Sequence, residues 1–339
     1  MTKDDITGIK ELLASKKNIV IVPHKNPDGD AIGSTLGLYH FLLKNNHKVH
    51  VIVPNDYPHF LKWIPGEEHI IKYDTNKTDA EALVGQADII FTLDFNAFHR
   101  TGNMAPVLEN SKALKIMIDH HQEPDNYATY TYSDVTMSST CEMVYHFIDK
   151  LDLLEQIDKA IATCLYVGIM TDTGSFRFRS TTSKTHRVIA HLIDLGADNN
   201  TIHNNVYDTN SHNRLQLLGC ALSNLEILPE YRTAYITISQ NELNRYDYKK
   251  GYTEGIVNYA LSLSNIIFAA IFIEDKKEGI IKISLRSKGS FSVNAFSRAH
   301  FNGGGHNNAA GGRSEVSLSK TVEKFTSILP TYKKDLNND

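Results

Sequence analysis

Short apolar runs alternate with amphipathic stretches over the first third of the chain. Apolar runs at residues 18–23, 48–53, 87–93 and 114–118 have the length and the β-branched content of buried strands. A helical pattern follows the first run through Leu43, and helical or irregular segments separate the others. Strands that alternate with helices predict a parallel α/β sheet in this part of the chain.

Helical patterns dominate the middle of the chain, and a mixed region follows them. Helices are predicted at residues 139–151, 157–170, 184–195 and about 200–228. Further on, the pattern predicts strands at 234–239, 266–273, 280–286 and 313–318, helices at 254–263 and 293–300, and a glycine-rich turn before the last strand. We therefore predict a parallel-sheet domain over residues 1–198, a helical linker over 199–228 and a smaller α/β domain over 229–335.

Composition and charge narrow the classes of function. With 35 Lys and Arg against 39 Asp and Glu, the chain has a net charge of −4 and lacks the basic character of proteins that coat long nucleic acids. Its three cysteines form no metal-binding or disulfide pattern, and its longest apolar run, residues 266–273, is far shorter than a membrane span. We expect a cytoplasmic protein with reduced cysteines, no membrane contact and no long nucleic-acid partner; the sequence leaves the oligomeric state open, a homodimer included.

Acidic and histidine side chains follow the predicted strands. Ligands of open parallel sheets bind at the carboxyl ends of the strands, because the connecting loops meet there. A further carboxylate follows the apolar run at residues 164–170. The side chains delivered in this way are His24, Asp28, Asp30, Asp94, Asp119, His120, His121 and Asp172.

Each of these residues also has an ordinary structural explanation. The residue types at 26–29 are typical of a tight turn, and Asp30 can cap a helix. Adjacent histidines are most often exposed loop residues. Turn chemistry does not explain why four separate segments all deliver such side chains. Mixed oxygen and nitrogen donors without thiolate suit Mn²⁺ or Mg²⁺, with Fe²⁺, Co²⁺ or catalytic Zn²⁺ as alternatives. Their number favours two ions that share one carboxylate, an arrangement used for displacement at phosphorus.

Four strings in the first half of the chain resemble the motifs of the DHH phosphoesterase family. They are HKNPDGDAIGS at 24–34, TLDF at 92–95 with Arg100 after it, IDHH at 118–121 and GIMTDTGSFR at 168–177. SLRS at 284–287 and GGGH at 303–306 resemble the DHH-associated domain that accompanies it. The order and spacing of the strings match the family from about residue 18 to residue 318.

The resemblance implies a role for each matching residue. The first ion is expected to bind His24, Asp28 and Asp94, and the second Asp30, Asp94, His120 and Asp172, so that Asp94 bridges the two. Two Mn²⁺ ions are expected, with Mg²⁺, Co²⁺ or Fe²⁺ as alternatives. Asp94 and His121 are the expected catalytic residues, and Asp119 is expected to orient an imidazole. The residues expected to bind substrate, in a cleft between the two domains, are Arg100, His121, Arg286, Gly304, Gly305 and His306.

Size and content narrow the activity within the family. The resemblance implies a stand-alone oligoribonuclease that degrades very short RNA and removes the 3′-phosphate of 3′-phosphoadenosine 5′-phosphate. A phosphodiesterase for cyclic di-AMP or its linear product pApA shares both domains and every motif, so the sequence leaves it open. The complete set of ligands argues against a nucleotide-binding regulator that has lost catalysis.

Overall fold

A computed structural model describes residues 1–337 of the chain. The chain divides into two compact units, the first from Met1 to Thr209 and the second from Asn210 onwards. The point of division lies within the segment 199–228, where the sequence places the linker between two domains.

A six-stranded, fully parallel sheet forms the centre of the first unit, as predicted. Its strand order, β3-β2-β1-β4-β5-β6, reverses direction between β1 and β4. Open sheets of this kind form ligand sites at that reversal, where loops leave neighbouring strands in opposite directions. The strands are β1 (Asn18–Val22), β2 (Lys48–Val53), β3 (Ile70–Lys72), β4 (Ile89–Leu93), β5 (Leu114–Asp119) and β6 (Tyr130–Ser133).

Helices cover the sheet of the first unit and complete its core. The helices are α1 (Lys3–Leu13), α2 (Gly29–Lys44), α3 (Lys77–Gly85), α4 (Ala105–Asn110), α5 (Thr140–Lys150), α6 (Lys159–Asp172), α7 (Ser183–Asp194) and α8 (Asn199–Tyr207). Short 3₁₀ helices lie at His59–Leu61, Glu67–His69, Phe98–Met104 and Leu154–Gln156. Helices α2, α5 and α6 are buried along most of their length because they pack on the sheet and on one another.

The second unit is a smaller α/β domain, again as predicted. Its six-stranded sheet has the order β11-β12-β10-β9-β8-β7 and is antiparallel except for the pairing of β8 with β9. Its elements are α9 (His212–Ser223), β7 (Leu225–Leu228), a 3₁₀ helix (Pro229–Tyr231), β8 (Thr233–Ile238), α10 (Gln240–Arg245), α11 (Ile256–Ser262), β9 (Phe268–Asp275), β10 (Ile280–Ser287), α12 (Val293–His300), β11 (Gly304–His306), β12 (Ala309–Ser314) and α13 (Leu318–Asn337).

Some local predictions are wrong. The segment 200–228 is not one helix, because α8 ends at Tyr207, α9 begins at His212, and a strand follows from Leu225. The last strand lies at Ala309–Ser314 rather than at 313–318, and the chain then forms α13, which the sequence interpretation did not include. The short strands β3, β6, β7 and β11 were not predicted either, since three or four residues are too few to show a periodicity.

The cysteines agree with the sequence interpretation. Cys141 and Cys164 are buried, Cys220 is partly buried, and all three are free thiols.

Within residues 1–337, no helix combines the length and the apolar character that crossing a bilayer requires.

Candidate metal centre

The carboxyl ends of three neighbouring strands bring the predicted side chains together. His24 follows β1 by two residues, Asp94 comes directly after β4, and His120 comes directly after β5. All three side chains are at least nine-tenths buried. The convergence expected of a parallel sheet is therefore present at the reversal between β1 and β4.

Two groups of potential ligands meet at Asp94. In the first, Nε2 of His24 lies 3.4 Å from Oδ2 of Asp94 and 4.0 Å from Oδ2 of Asp28. In the second, Nε2 of His120 lies 3.5 Å from Oδ1 of Asp94, 3.7 Å from Oδ2 of Asp30 and 3.5 Å from Oδ2 of Asp172. Asp94 thus directs one carboxylate oxygen at each imidazole.

The distances in both groups suit shared cations better than direct hydrogen bonds. Good hydrogen bonds between nitrogen and oxygen cluster near about 2.9 Å. Ligands at about 2.1 Å from one ion are separated from each other by roughly 3.0–3.5 Å in octahedral or tetrahedral geometry. The ligand atoms of His24, Asp28 and Asp94 lie within 4.8 Å of one another, as do those of Asp30, His120 and Asp172. The donor set therefore fits two divalent cations.

Backbone carbonyls fix the orientation of both imidazoles. Nδ1 of His24 lies 2.9 Å from the carbonyl oxygen of Lys25, and Nδ1 of His120 lies 3.2 Å from that of Met137. A carbonyl can only accept, so each Nδ1 carries the proton that it donates. Nε2 of each neutral ring is then unprotonated and faces the carboxylates, which is the tautomer that binds a metal.

Asp94 has an unusual backbone conformation. Its φ of 64° lies in the left-handed region, which only Gly and, less often, Asn and Asp visit readily. Its amide donates to the carbonyl oxygen of Ile118 at 3.1 Å, which ties the turn after β4 to β5. Such conformations persist where the surroundings fix them, and they concentrate at functional sites.

The start of α5 holds two of the carboxylates, a role that the sequence interpretation did not assign to it. The amides of Thr140 and Cys141 donate to the two oxygens of Asp30 at 2.6 and 2.9 Å. The hydroxyl of Thr140 donates to Oδ1 of Asp94 at 2.9 Å. Ser139 caps the helix by accepting from the amide of Glu142. The Ser-x-x-Glu pattern at 139–142 is a helix-start signal and agrees with the helix predicted from residue 139.

Asp28 serves α2 as well as the first ligand group. Its Oδ1 accepts from the amides of Asp30 and Ala31, both at 3.1 Å, and so caps the helix. Its Oδ2 is the atom that faces His24. The turn-and-cap explanation and the metal explanation of this residue are therefore compatible.

Glycines let α2 and α6 approach closely enough to join their carboxylates. A Cβ atom at Gly33 would lie 2.5 Å from the carbonyl oxygen of Cys164. A Cβ atom at Gly168 would lie 2.1 Å from Sγ of Cys141 and 2.8 Å from Oδ1 of Asp30. All three distances are below any normal contact, so only glycine fits at these two positions.

The electrostatics of the centre are strongly negative. Burial, followed by the charges of Asp94 and Asp172, raises the pKa of the Asp30 carboxyl well above its usual value. Burial alone would lower the pKa of His120, but its contact with Asp94 and the charges of Asp172 and Asp30 raise it well above the usual value. Both shifts show that the cluster attracts positive charge, which a proton or a metal ion can supply.

Asp94 itself is held as a carboxylate. Burial opposes its ionisation, but the imidazoles of His120 and His24 outweigh burial and hold the pKa of Asp94 well below its usual range. The pKa of His24 is raised in turn: burial lowers it, and the contact with Asp94 and the charge of Asp28 more than compensate. Asp94 is therefore negatively charged at the position where the two groups meet.

The remaining predicted residues of the first unit lie beside these groups. Oδ1 of Asp119 lies 2.7 Å from Nδ1 of His121, so the imidazole that Asp119 orients is that of His121. The charge of Arg100 reaches His24, whose pKa it lowers slightly. The carbonyl oxygen of Arg100 accepts from the amide of Lys25 at 2.8 Å, which fixes the loop after β1.

In the second unit, Arg286 and His306 lie in one row across the sheet. Arg286 on β10 and His306 on β11 are both register partners of Ala309 on β12. Register partners point to the same face of a sheet, and two strand spacings amount to about 10 Å. The guanidinium of Arg286 also donates to the carbonyl oxygen of Leu285 at 2.9 Å. The two side chains therefore share a face.

Part of the glycine-rich segment that we predicted as a turn forms a strand. Gly304 and Gly305 belong to β11, and the amide of Gly305 donates to Oδ1 of Asn294 at 3.1 Å. Gly305 has a φ of 146°, and a Cβ there would lie 2.5 Å from the carbonyl oxygen of Ala309. Gly305 is therefore needed for the close approach of β11 to β12.

Two families match the chain, one in each unit. The DHH family, N-terminal domain, matches residues 18–169, and the DHHA1 domain matches residues 234–336. The first match contains His24 to His121, and the second contains Arg286 and His306.

Relatives with both domains match nearly the whole chain. The probable bifunctional oligoribonuclease and PAP phosphatase NrnA of Streptococcus mutans is 29% identical over 332 residues, which are 95% of this chain and 98% of the relative. The cyclic-di-AMP phosphodiesterase GdpP of Bacillus subtilis is 26% identical over 334 residues. The matched region is 96% of this chain but only 49% of the length of GdpP. The crystal structure of an exopolyphosphatase-related protein from Bacteroides fragilis is 41% identical, with 99% of this chain and 98% of that chain covered and a TM-score of 0.95. The chain therefore belongs to the DHH phosphoesterase family and carries its DHHA1 domain.

Proposed function

We propose that the protein is a two-metal phosphoesterase that hydrolyses very short oligoribonucleotides to mononucleotides and converts 3′-phosphoadenosine 5′-phosphate to AMP. The observation that carries the proposal is the pair of ligand groups that meet at the buried carboxylate of Asp94. The similarity to NrnA, whose name states both activities, supports the choice of substrates.

The proposed mechanism assigns each group of residues a task. His24, Asp28 and Asp94 would hold one cation, and Asp30, Asp94, His120 and Asp172 the other, with Mn²⁺ as the expected ion. Two cations bound there would neutralise charge on the phosphoryl oxygens and lower the pKa of the attacking water. His121, held through Nδ1 by Asp119, would contact the scissile phosphate and protonate the leaving oxygen through Nε2. The carboxylate of Asp119 would stabilise the imidazolium that this step requires.

The two units would divide the work. The first unit would carry the metal centre, with Arg100 at its margin. The second would bind the far end of the substrate, with Arg286 and His306 on one face of its sheet. A planar guanidinium can grip a phosphate through two hydrogen bonds, and two contact points in a row suit a short substrate.

A cyclic di-AMP or pApA phosphodiesterase is the second candidate. It is favoured by the match of this chain to about half the length of GdpP. A turnover panel with Mn²⁺ separates the candidates by comparing di- to pentaribonucleotides, 3′-phosphoadenosine 5′-phosphate, pApA and cyclic di-AMP. We expect the highest kcat/KM on the oligoribonucleotides. A clear preference for cyclic di-AMP would instead establish the second candidate.

Removal of metal is expected to abolish turnover. Protein stripped by a chelator should be inactive on every substrate of the panel, and Mn²⁺ should restore activity better than Mg²⁺, because imidazole ligands are a poor match for the harder ion. Activity and bound metal are measured together during the titration. Full turnover in excess chelator would contradict the two-metal mechanism.

Thr140 is expected to position Asp94 through its hydroxyl. Thr140→Ala removes the bond to Oδ1 of Asp94 but leaves the amide that holds Asp30. Loss of such an outer contact typically weakens metal binding by about 10-fold or more. Thr140→Ser keeps the hydroxyl and is the matched control. Calorimetric titration with Mn²⁺ measures the effect, and equal affinity of the alanine and serine variants would show that the hydroxyl has no such role.

Arg286 is expected to matter most for the shortest substrates. Arg286→Ala should raise KM for di- and trinucleotides by roughly 10- to 100-fold, since a hydrogen bond to a charged group contributes about 1.5–3 kcal/mol. Longer strands have other contacts that compensate. Arg286→Lys should restore little, because a lysine cannot grip a phosphate bidentately.

Arg313→Ala is the control for Arg286, because Arg313 lies exposed on the neighbouring strand β12. Metal content should be unchanged in both variants. Equal losses on a dinucleotide and on a twenty-nucleotide RNA would argue against selection of short substrates by the second unit.

A further inference from the structure

A run of exposed cations follows Asp172 in the first unit. Between Asp172 and Asp194 the chain has no acidic residue, although acidic residues outnumber basic ones overall by 39 to 35. Within residues 1–337, none of the cations in this run forms an ion pair with a carboxylate. The exposed cations are Arg177, Arg179, Lys184 and Arg187. A surface of this kind attracts phosphate groups.

The loop that carries two of these cations is fixed in a strained conformation. Gly174, Ser175 and Phe176 have φ values of 57°, 61° and 64°, so three successive residues are left-handed. The carbonyl oxygen of Thr173 accepts from the amides of Arg177 and Phe178, both at 3.0 Å. Two of the three left-handed residues carry side chains, which is costly and persists only where the surroundings impose it.

Aromatic contacts join this loop to both neighbouring helices. The ring of Phe176 packs edge-on against Tyr166 of α6, with centroids 5.7 Å apart, and lies 6.3 Å from the ring of His186 in α7. Helix α6 ends at Asp172, and α7 carries Lys184 and Arg187. The loop therefore packs against both helices, and we refer to its cations and those of α7, residues 177–187, as the basic surface.

A second contact ties α7 to the metal centre. The hydroxyl of Thr185 donates at 3.0 Å to Glu142, whose helix α5 holds Asp30 and Asp94 through its first residues. Thr185 lies between the exposed Lys184 and Arg187. Helix α5 therefore contacts both the helix that carries part of the basic surface and two carboxylates of the candidate centre.

The composition of the surface indicates an oligonucleotide rather than a simple anion. Phe178 is 39% exposed between the exposed Arg177 and Arg179. Surfaces that bind single strands combine cations for the backbone with aromatic rings on which bases stack. The guanidinium of Arg177 is held by a bond from Nε to the carbonyl oxygen of Gly174 at 2.7 Å, which orders one of the cations in advance.

We propose that residues 177–187 bind the phosphodiester backbone and one base of a single-stranded oligonucleotide next to the metal centre. This inference rests on the proposed function and extends it: strands of more than a few nucleotides gain affinity here, while a dinucleotide ends before it reaches the surface. The surface therefore adds length-dependent affinity to the first unit.

The experiment compares two double variants with equal changes in charge. Arg179→Gln/Arg187→Gln removes two charges from the basic surface. The control, Lys16→Gln/Lys112→Gln, removes two exposed charges just before β1 and β5. These lie at the amino ends of the strands, whereas the metal centre lies at their carboxyl ends. Binding of a labelled twelve-nucleotide RNA is measured by fluorescence anisotropy in chelator, over a range of salt concentrations. KM for two- and twelve-nucleotide RNA is then measured with Mn²⁺.

We expect the surface variant to raise Kd for the twelve-nucleotide RNA about 10-fold. KM for the twelve-nucleotide RNA, divided by KM for the dinucleotide, should rise by a similar factor. The slope of log K against log salt should flatten by about 1.4, because each lost contact to a single strand removes about 0.7. The lysine variant should keep the wild-type slope. An equal loss in the lysine variant, or a loss that does not depend on length, would overturn the proposal.

Two further arms separate this proposal from its alternatives. Phe178→Ala should weaken binding of the RNA more than binding of an inorganic polyphosphate of equal charge. Equal effects on both would identify a polyanion site and overturn the oligonucleotide assignment.

If the wild type hydrolyses no oligoribonucleotide, the proposed function fails. The anisotropy measurement still decides on the surface, because it requires neither metal nor turnover.

Discussion

Replacement of Asp94 by asparagine is expected to lower turnover by at least about 10⁴-fold and to remove metal from both ligand groups. Asp94 directs Oδ2 at His24 and Oδ1 at His120, so one substitution affects both. Each bound cation contributes several kcal/mol to the stability of the transition state, and about 1.4 kcal/mol corresponds to a factor of ten.

Asparagine is chosen because it tolerates the left-handed backbone of Asp94. A loss of turnover in Asp94→Asn therefore reports on the carboxylate, whereas Asp94→Ala adds backbone strain of about 1–2 kcal/mol. The comparison variant is His121→Ala, which removes a phosphate contact and a proton donor and should cost about 10²-fold.

Metal content and kcat are measured for each of these variants. If Asp94→Asn retained both ions and lost less activity than His121→Ala, the bridging role would be wrong.

Gly168→Ala is expected to damage the centre without changing any ligand. The new methyl group would lie 2.1 Å from Sγ of Cys141 and 2.8 Å from Oδ1 of Asp30. The thiol is fully buried, Cβ of Cys141 would also lie only 3.0 Å from the new methyl group, and the amide of the same cysteine holds Asp30. Overpacking of this kind costs about 1–3 kcal/mol of unfolding free energy. We also expect Mn²⁺ to bind at least about 10-fold more weakly.

Gly85→Ala is the matched control, because a Cβ there has nothing within 4 Å and Gly85 ends helix α3 of the same unit. It should leave stability unchanged or raise it by up to about 1 kcal/mol.

The double variant Gly168→Ala/Cys141→Ala removes the clashing sulfur and should recover part of the lost stability. Chemical denaturation and Mn²⁺ titration measure the effects in all three variants. Wild-type stability and metal affinity in Gly168→Ala would contradict the close packing of α2, α5 and α6.

The main features of the centre could be predicted because they depend on strand ends. A parallel sheet places the residues after β1, β4 and β5 at one edge, so His24, Asp94 and His120 meet whatever the details of the loops. The contacts of the start of α5 with the carboxylates could not be predicted in the same way. Its bonds to Asp30 use backbone amides, which every residue has, so the amino-acid types at 140 and 141 do not reveal them.

The wrong helix over 200–228 has a similar cause. Leu215, Leu218, Leu222 and Leu225 continue a spacing of three and four residues past the end of α9 at Ser223. Periodicity therefore extends the helix into β7, although Asn224 already ends it. The assignment of Gly304 and Gly305 to a turn rather than to a strand has another cause. Glycine permits an open turn and a close approach of two strands equally well, and only the pairing with β12 distinguishes them.

The two oxygens of Asp28 link folding and chemistry in a way that matters for how the family can diverge. One oxygen caps α2 and the other faces His24, so replacement by alanine would destabilise the helix and also remove a ligand. A serine at position 28 would still cap α2 but would remove the carboxylate oxygen that faces His24. A lineage that turned this fold from catalysis to pure binding could therefore pass through serine at this position without a penalty in stability. A serine here in a related chain would accordingly indicate that the ligand is lost while the helix cap is kept.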